Sequence, residues 1–190
     1  MIIAGLDFSY TSPAICVWDT ETEFKFENLH IFNTNEKKKL TGKYGNITLS
    51  LHPEYNTQEE RFRNICSWAS NVLTIMGVEE ACIEGYSFGA SSGRVFDIAE
   101  NTSLIKQFMD INGIPFTVHP PAKVKLRFTG KGGAKKDEMV DRFDSLFGVN
   151  IHSIIGVNPV KRPKVAKPLD DLCDSTAVMM MHSIFDKKEN

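Results

Sequence analysis

The chain has 190 residues, 42% of them hydrophobic, enough to bury a core in one domain without disulfides or structural metal. Its formal net charge of −2 excludes an overall polycation. Its four cysteines, Cys16, Cys66, Cys82 and Cys173, form no Cys-x-x-Cys pair, which argues against zinc and for a reducing compartment. No stretch reaches the length of a membrane span, and the N-terminus lacks the charged start and apolar middle of a signal peptide. The expected location is therefore the cytoplasm, with no membrane partner.

Residues 2–8 read as a central strand that ends in a carboxylate, Asp7, followed by the hydroxyl-bearing Ser9 and Tyr10. Residues 12–18 read as a second strand, and the alternation of Phe24, Phe26, Leu29 and Ile31 predicts a third over 24–32. Short turns make these an antiparallel meander. Residues 33–56 are polar and irregular, carry the run Lys37-Lys38-Lys39, and read as an excursion with one short strand at 47–51. Thr57 and Glu60 have capping-box spacing, apolar residues recur at helical period from Phe62 to Met76, and Gly77 stops the helix. Residues 80–84 read as a buried strand parallel to the first, because a helix crosses over between them. A glycine-rich loop with two aromatics follows at 85–93. The remaining elements are a helix at 95–111, a strand at 115–119, a short basic helix at 122–128, a glycine-lysine loop at 129–134, a helix at 135–147 and a last helix at 170–185. Three antiparallel strands followed by parallel strands and helices predict one α/β domain over 1–190, a mixed sheet with helices on its faces and the excursion at about 33–56.

Four carboxylates stand out. Asp7 and Glu84 each end a buried strand, where an unpaired charge is costly and calls for a cation or hydrogen-bond donors. Asp171 and Asp174 are spaced i, i+3 at the start of the last helix, which puts both on one face. The apolar Ala177, Val178 and Met181 that follow turn that face toward the protein. Structural roles compete: a turn cap for Asp7, a salt bridge for Glu84, and a helix-dipole contact for the pair, with Asp170 as the cap. Together the four form an oxygen-only cluster suited to Mg2+ or Mn2+, and two such ions per site support phosphodiester cleavage. Net charge hides a basic segment: from His119 to Lys136 the chain carries Lys123, Lys125, Arg127, Lys131, Lys135 and Lys136 and no acid. Lys161, Arg162, Lys164 and Lys167 form a second patch before the last helix. Such groups serve nucleic-acid phosphates without reading sequence.

The strand order and acid positions resemble the ribonuclease H-like fold and, more narrowly, the RuvC family of Holliday junction resolvases. The resemblance runs over nearly the whole chain. It is carried by Gly5-Leu6-Asp7, by Ile83-Glu84 before an aromatic-bearing loop, and by Pro120-Pro121-Ala122-Lys123-Val124-Lys125. It continues through Thr129-Gly130-Lys131-Gly132-Gly133-Ala134-Lys135-Lys136 and ends with Asp171-x-x-Asp174-Ser-Thr-Ala. It implies a crossover junction endodeoxyribonuclease with Asp7, Glu84, Asp171 and Asp174 as metal ligands. It also implies a homodimer that cuts four-way or other branched DNA in pairs, and a junction-contacting aromatic at Tyr86 or Phe88. The chain departs from the family pattern at Phe8-Ser9, where Pro-Gly often follows the first Asp, and in the length of 33–56. Asp170 beside Asp171 leaves the third ligand open by one position.

Other classes compete. Gly5-Leu6-Asp7-Phe8-Ser9-Tyr10-Thr11 is similar to the phosphate loop of sugar-kinase and actin-like ATPases, but those need two lobes and a second nucleotide loop, for which 190 residues leave no room. A non-catalytic branched-DNA-binding module has no use for four intact acids. A nuclease of the same fold acting on flaps, forks or RNA–DNA hybrids is the nearer alternative. Trp68 and Phe96 are the expected outward residues of the two helices that would pair in a homodimer.

Overall fold

The computed structural model describes residues 1–86, 94–161 and 164–188. Among these residues seven strands form one mixed sheet: β1 (Ile2–Asp7), β2 (Ala14–Asp19), β3 (Leu29–Asn35), β4 (Gly42–Tyr44), β5 (Ile47–Leu51), β6 (Glu80–Glu84) and β7 (Phe116–His119). Their spatial order is β4-β5-β3-β2-β1-β6-β7. The first three strands pair antiparallel, β6 joins β1 in parallel, and β7 joins β6 in parallel. The meander and the crossover are as the sequence predicts. Among the described residues no helix is long and apolar enough to cross a membrane.

Among the described residues six helices cover the sheet: α1 (Gln58–Met76), α2 (Arg94–Ile111), α3 (Pro121–Thr129), α4 (Lys136–Phe147), α5 (Ile151–Ile155) and α6 (Leu169–Met179). Because side chains alternate along a strand, each face of the sheet has its own core. Ala4, Leu6, Ile15, Val17, Ala81 and Ile83 meet α1 and α2. Ile3, Cys16, Trp18, Leu29, Ile31 and Cys82 meet the face covered by α3, α4, α5 and α6. Helix α1 begins as its capping pattern requires: Thr57 accepts from the Glu60 amide at 3.2 Å, and the Glu60 carboxylate accepts from the Asn56 amide at 2.7 Å. It ends at Gly77, whose φ of 64° is left-handed and favours a residue without a Cβ.

Four expectations are corrected. The strand predicted over 24–32 begins only at Leu29, and Phe26–Asn28 is a 3-10 turn. Phe24 and Phe26 alternate because both anchor an aromatic cluster: Phe24 lies 5.0 Å from Trp18 and 4.9 Å from Phe185, and Phe26 lies 6.1 Å from Phe143. Within the polar stretch 33–56 the strand expected at 47–51 is present as β5, but the stretch is not an irregular excursion: β4 joins β5 in an antiparallel hairpin, and β5 extends the sheet by pairing in parallel with β3. The last helix stops at Met179, and a separate 3-10 segment follows at Ser183–Lys188. Trp68 is not outward; it packs against the core beneath α1 and α2, and Phe96 is the outward one of the two.

Candidate active site

Strand parity places the first two acids. Ile3, Gly5 and Asp7 share the face of β1 turned toward α6, and Cys82 and Glu84 share the same face of β6. Leu6 pairs with Ile83, so one step on, Asp7 and Glu84 end neighbouring parallel strands. The second pair arrives on the first turns of α6. What brings that helix down is Gly5. A Cβ there would stand 2.1 Å from the Met179 amide nitrogen and 2.3 Å from the Ser175 carbonyl oxygen, so only glycine permits this approach. The close crossing sets Asp171 and Asp174 over the ends of β1 and β6.

A cavity of about 260 Å³ opens there, with Asp7, Glu84 and Asp174 in its wall beside Tyr86, Pro121 and Lys125. Burial pushes Asp7 well above the usual carboxylate range, and repulsion from Glu84, Asp171 and Asp174 adds to it. Burial likewise raises Glu84 to about 7, with Lys125 opposing and Asp171 reinforcing the shift. Asp174 rises to about 8 through burial and the charges of Glu84, Asp170 and Asp171. Asp171 rises to about 6 through burial and its neighbour Asp170, against the pull of Lys167. Four carboxylates therefore share one electrostatic environment in which all cannot ionise freely without a cation. Asp171 keeps Oδ2 buried with no hydrogen-bond partner, a donor atom that suits a metal ion. As placed, no three His, Cys, Asp or Glu among the described residues stand close enough together to ligate one ion.

Asp170 points elsewhere. Its carboxylate is buried and meets the ammonium groups of Lys136 and Lys167, the latter at 3.0 Å. It does not enter the environment of Asp7 as Asp171 and Asp174 do.

The basic segment divides. Lys125 lines the cavity and Lys123 and Lys135 are exposed. Lys131 pairs with Glu138 at 2.8 Å at the surface, and Arg127 turns to Asp186 at 2.5 Å. Tyr86 lies at the cavity, its ring 5.2 Å from the Lys106 ammonium. Phe88 and Arg162 lie outside the described residues.

Two features are absent from the sequence reading of the site. Ser12 hydrogen-bonds Asp171 and accepts from Asn33 Nδ2 at 3.0 Å, while Asn35 donates to Asn33 Oδ1 at 2.8 Å. This buried polar chain runs from β3 to the acids, and two asparagines in a strand, where Asn is depleted, are its trace in the sequence. Lys167 Nζ lies 2.5 Å from Asp171 Oδ1, so one lysine of the second basic patch belongs to the acidic centre.

The strand order and the helices on its faces make a ribonuclease H-like fold, with the four acids gathered at the carboxyl ends of its parallel strands. No family model matches the chain. It is 25% identical over 139 residues to the crossover junction endodeoxyribonuclease RuvC of Brachyspira hyodysenteriae, covering 73% of this chain and 75% of that protein. It is 27% identical over 123 residues to RuvC of an Anaeromyxobacter species, covering 65% of this chain and 52% of that protein, about half its length. The structure of Thermus thermophilus RuvC in complex with a Holliday junction substrate superposes over 100% of this chain and 96% of its own, with a TM-score of 0.64 at 18% identity. The chain is thus RuvC-like in sequence and in fold.

Proposed function

We propose that this protein is a cytoplasmic, metal-dependent endodeoxyribonuclease that resolves Holliday junctions or related branched DNA by paired cleavage. The observation that carries the reading is the meeting of Asp7, Glu84 and Asp174 at one cavity, with Asp171 acting on Asp7 beside them, in a fold shared over its full length with a junction-bound resolvase. In this reading Asp7, Glu84, Asp171 and Asp174 hold two Mg2+ or Mn2+ ions, oxygen-loving cations that match an all-carboxylate set. Asp171 rather than Asp170 is the ligand in this reading, because Asp171 and not Asp170 acts on Asp7. When bound, such ions activate water and stabilise the leaving oxygen of a phosphodiester.

The chain's own residues supply the rest. The raised acids shed protons as cations enter, so uptake strengthens as pH rises. Lys125, in the cavity wall, offers a cation to the phosphate beside the scissile bond, Lys123 and Lys135 hold flanking backbone, and Lys131 and Lys136 join them when they leave Glu138 and Asp170. Arg127 is drawn toward Asp186 and belongs to this set only if that pair opens. Tyr86, at the cavity rim, is the described aromatic available to the junction, and Phe88, two residues on in the sequence, is the other candidate. A homodimer supplies the two sites that paired cleavage needs.

Cleavage of a labelled four-way junction tests the reading. Asp7→Asn and Glu84→Gln should each lower the cutting rate more than about 100-fold, beyond the 10–100-fold typical of outer-shell partners. Junction binding should persist in both. Full activity in either would remove that ligand from the site, and faster cutting of flaps, forks or RNA–DNA hybrids by the unaltered chain would redirect the substrate class.

A further inference from the structure

Lys167 precedes Pro168 at the entry to α6. Its Nζ lies 2.5 Å from Asp171 Oδ1 and 3.0 Å from Asp170 Oδ2, and its carbonyl oxygen accepts from Lys37 Nζ at 3.2 Å. Lys136 meets Asp170 as well. Burial opposes the charge on Lys167, but Asp171 and Asp170 outweigh it and hold the ammonium above the ordinary lysine range. A lysine that spans two adjacent buried carboxylates, one of them a proposed metal ligand, has a defined consequence. An ammonium on Asp171 Oδ1 and a divalent ion on the same carboxylate repel each other across a short, poorly solvated gap.

We propose that Lys167 is the resident counter-cation of the acidic centre: it neutralises Asp171 when no metal is bound, a divalent ion must displace it, and it thereby sets the metal affinity. This rests on the reading of Asp7, Glu84, Asp171 and Asp174 as metal ligands. Asp170 gives the displaced ammonium somewhere to go. Its Oδ2 is already within hydrogen-bond reach of Lys167, so the exchange shifts one contact without exposing a buried charge. The two neighbouring acids then divide their work, Asp171 for the divalent ion and Asp170 for the lysine. Lys37 anchors the backbone from which the lysine swings. Lys167 is a positioning residue in this scheme, acting through Asp171.

Calorimetric titration of the full chain with Mn2+, without DNA, tests it. Lys167→Met should bind Mn2+ more tightly, on the order of tenfold, the size of one charge contact at a partly solvated site. Lys167→Arg, which keeps the charge, should stay near the unaltered affinity. Asp170→Asn should bind Mn2+ more weakly, because the lysine loses its alternative partner. The double variant Asp170→Asn with Lys167→Met should recover the tight binding of Lys167→Met, because the loss acts through the lysine. Unchanged or weaker binding by Lys167→Met overturns the proposal. So does a double variant as weak as Asp170→Asn alone, which would make Asp170 itself a ligand. Mn2+ uptake that is absent, or unaffected by Asp7→Asn, would remove the metal site and this proposal with it. Should Lys167→Met fail to fold, Lys167→Arg with Asp170→Asn still decides: equal affinity in all three chains overturns the exchange.

Discussion

At the scale of single residues, the acidic centre is a place where the fold acts against its own stability. Glu84, Asp171 and Asp174 have folded pKa values of about 7, 6 and 8, and Asp7 is also raised, against values near 4 in an unfolded chain. A raised carboxyl pKa means that the folded state binds more protons than the unfolded one between those limits. Stability therefore falls as pH rises from about 4 to about 8. A divalent ion that binds only the folded chain offsets that loss. The metal-free protein should melt at a lower temperature at pH 8 than at pH 5, and saturating Mg2+ should raise the melting temperature more at pH 8. Differential scanning fluorimetry across that range checks both. An equal Mg2+ increment at the two values would mean that the ion does not meet these carboxylates.

At the scale of elements, the site depends on one contact between a strand and a helix. Gly5 lets α6 rest directly on β1, and the helix carries Asp171 and Asp174. Gly5→Ala places a methyl group against backbone atoms of α6, which cannot rotate aside as a side chain would. Overpacking of this kind costs about 1–3 kcal/mol and occasionally more, and this position belongs at the upper end. Urea unfolding should show that loss, and Mn2+ affinity should fall with it because half of the acids move. A variant as stable as the parent would show that α6 has slack. Asp7, Glu84 and the α6 pair were legible in the sequence because each stands at a break in a periodic pattern, an acid that ends an apolar strand or opens a helix. The parallel crossover through α1 was legible from its capping residues. What was not legible is long-range. Phe24 and Phe26 mimic a strand because their partners, Phe185 and Phe143, lie far along the chain. β5 was legible from the alternation of Ile47, Leu49 and Leu51, but its partner β4 is a polar, exposed edge strand of three residues with no pattern to mark it. The place of Lys167 at Asp171, and of Asn33 and Asn35 behind Ser12, depends on which segments the sheet sets side by side.

At the scale of the whole molecule, the two faces of the sheet have different work. One is closed by α6 and its neighbours and builds the acidic centre. The other carries α1 and α2, whose N-terminal ends are joined by Gln58 donating to Asp97 Oδ1 at 2.8 Å. Their outer surface is more apolar than a free surface needs. Phe96 is 73% exposed, Ile75 83% and Ile111 74%, and a groove of about 640 Å³ lined by Phe62, Cys66 and Leu104 runs between the helices. Pairing of this face with its own copy about a two-fold axis would bury that surface and leave both acidic centres open to one four-armed substrate. Sedimentation velocity at micromolar concentration should then give twice the chain mass of 21.4 kDa. Phe96→Asp should convert the particle to monomer with little change in melting temperature, because an exposed side chain contributes little to the fold of one chain. The same variant should still nick a junction but release half-cut intermediates, since the second incision would await a second encounter. A chain that stays monomeric even on an uncleaved junction would confine α1 and α2 to covering the sheet. A Phe96→Asp protein that still pairs its cuts within one encounter would place the contact between copies elsewhere.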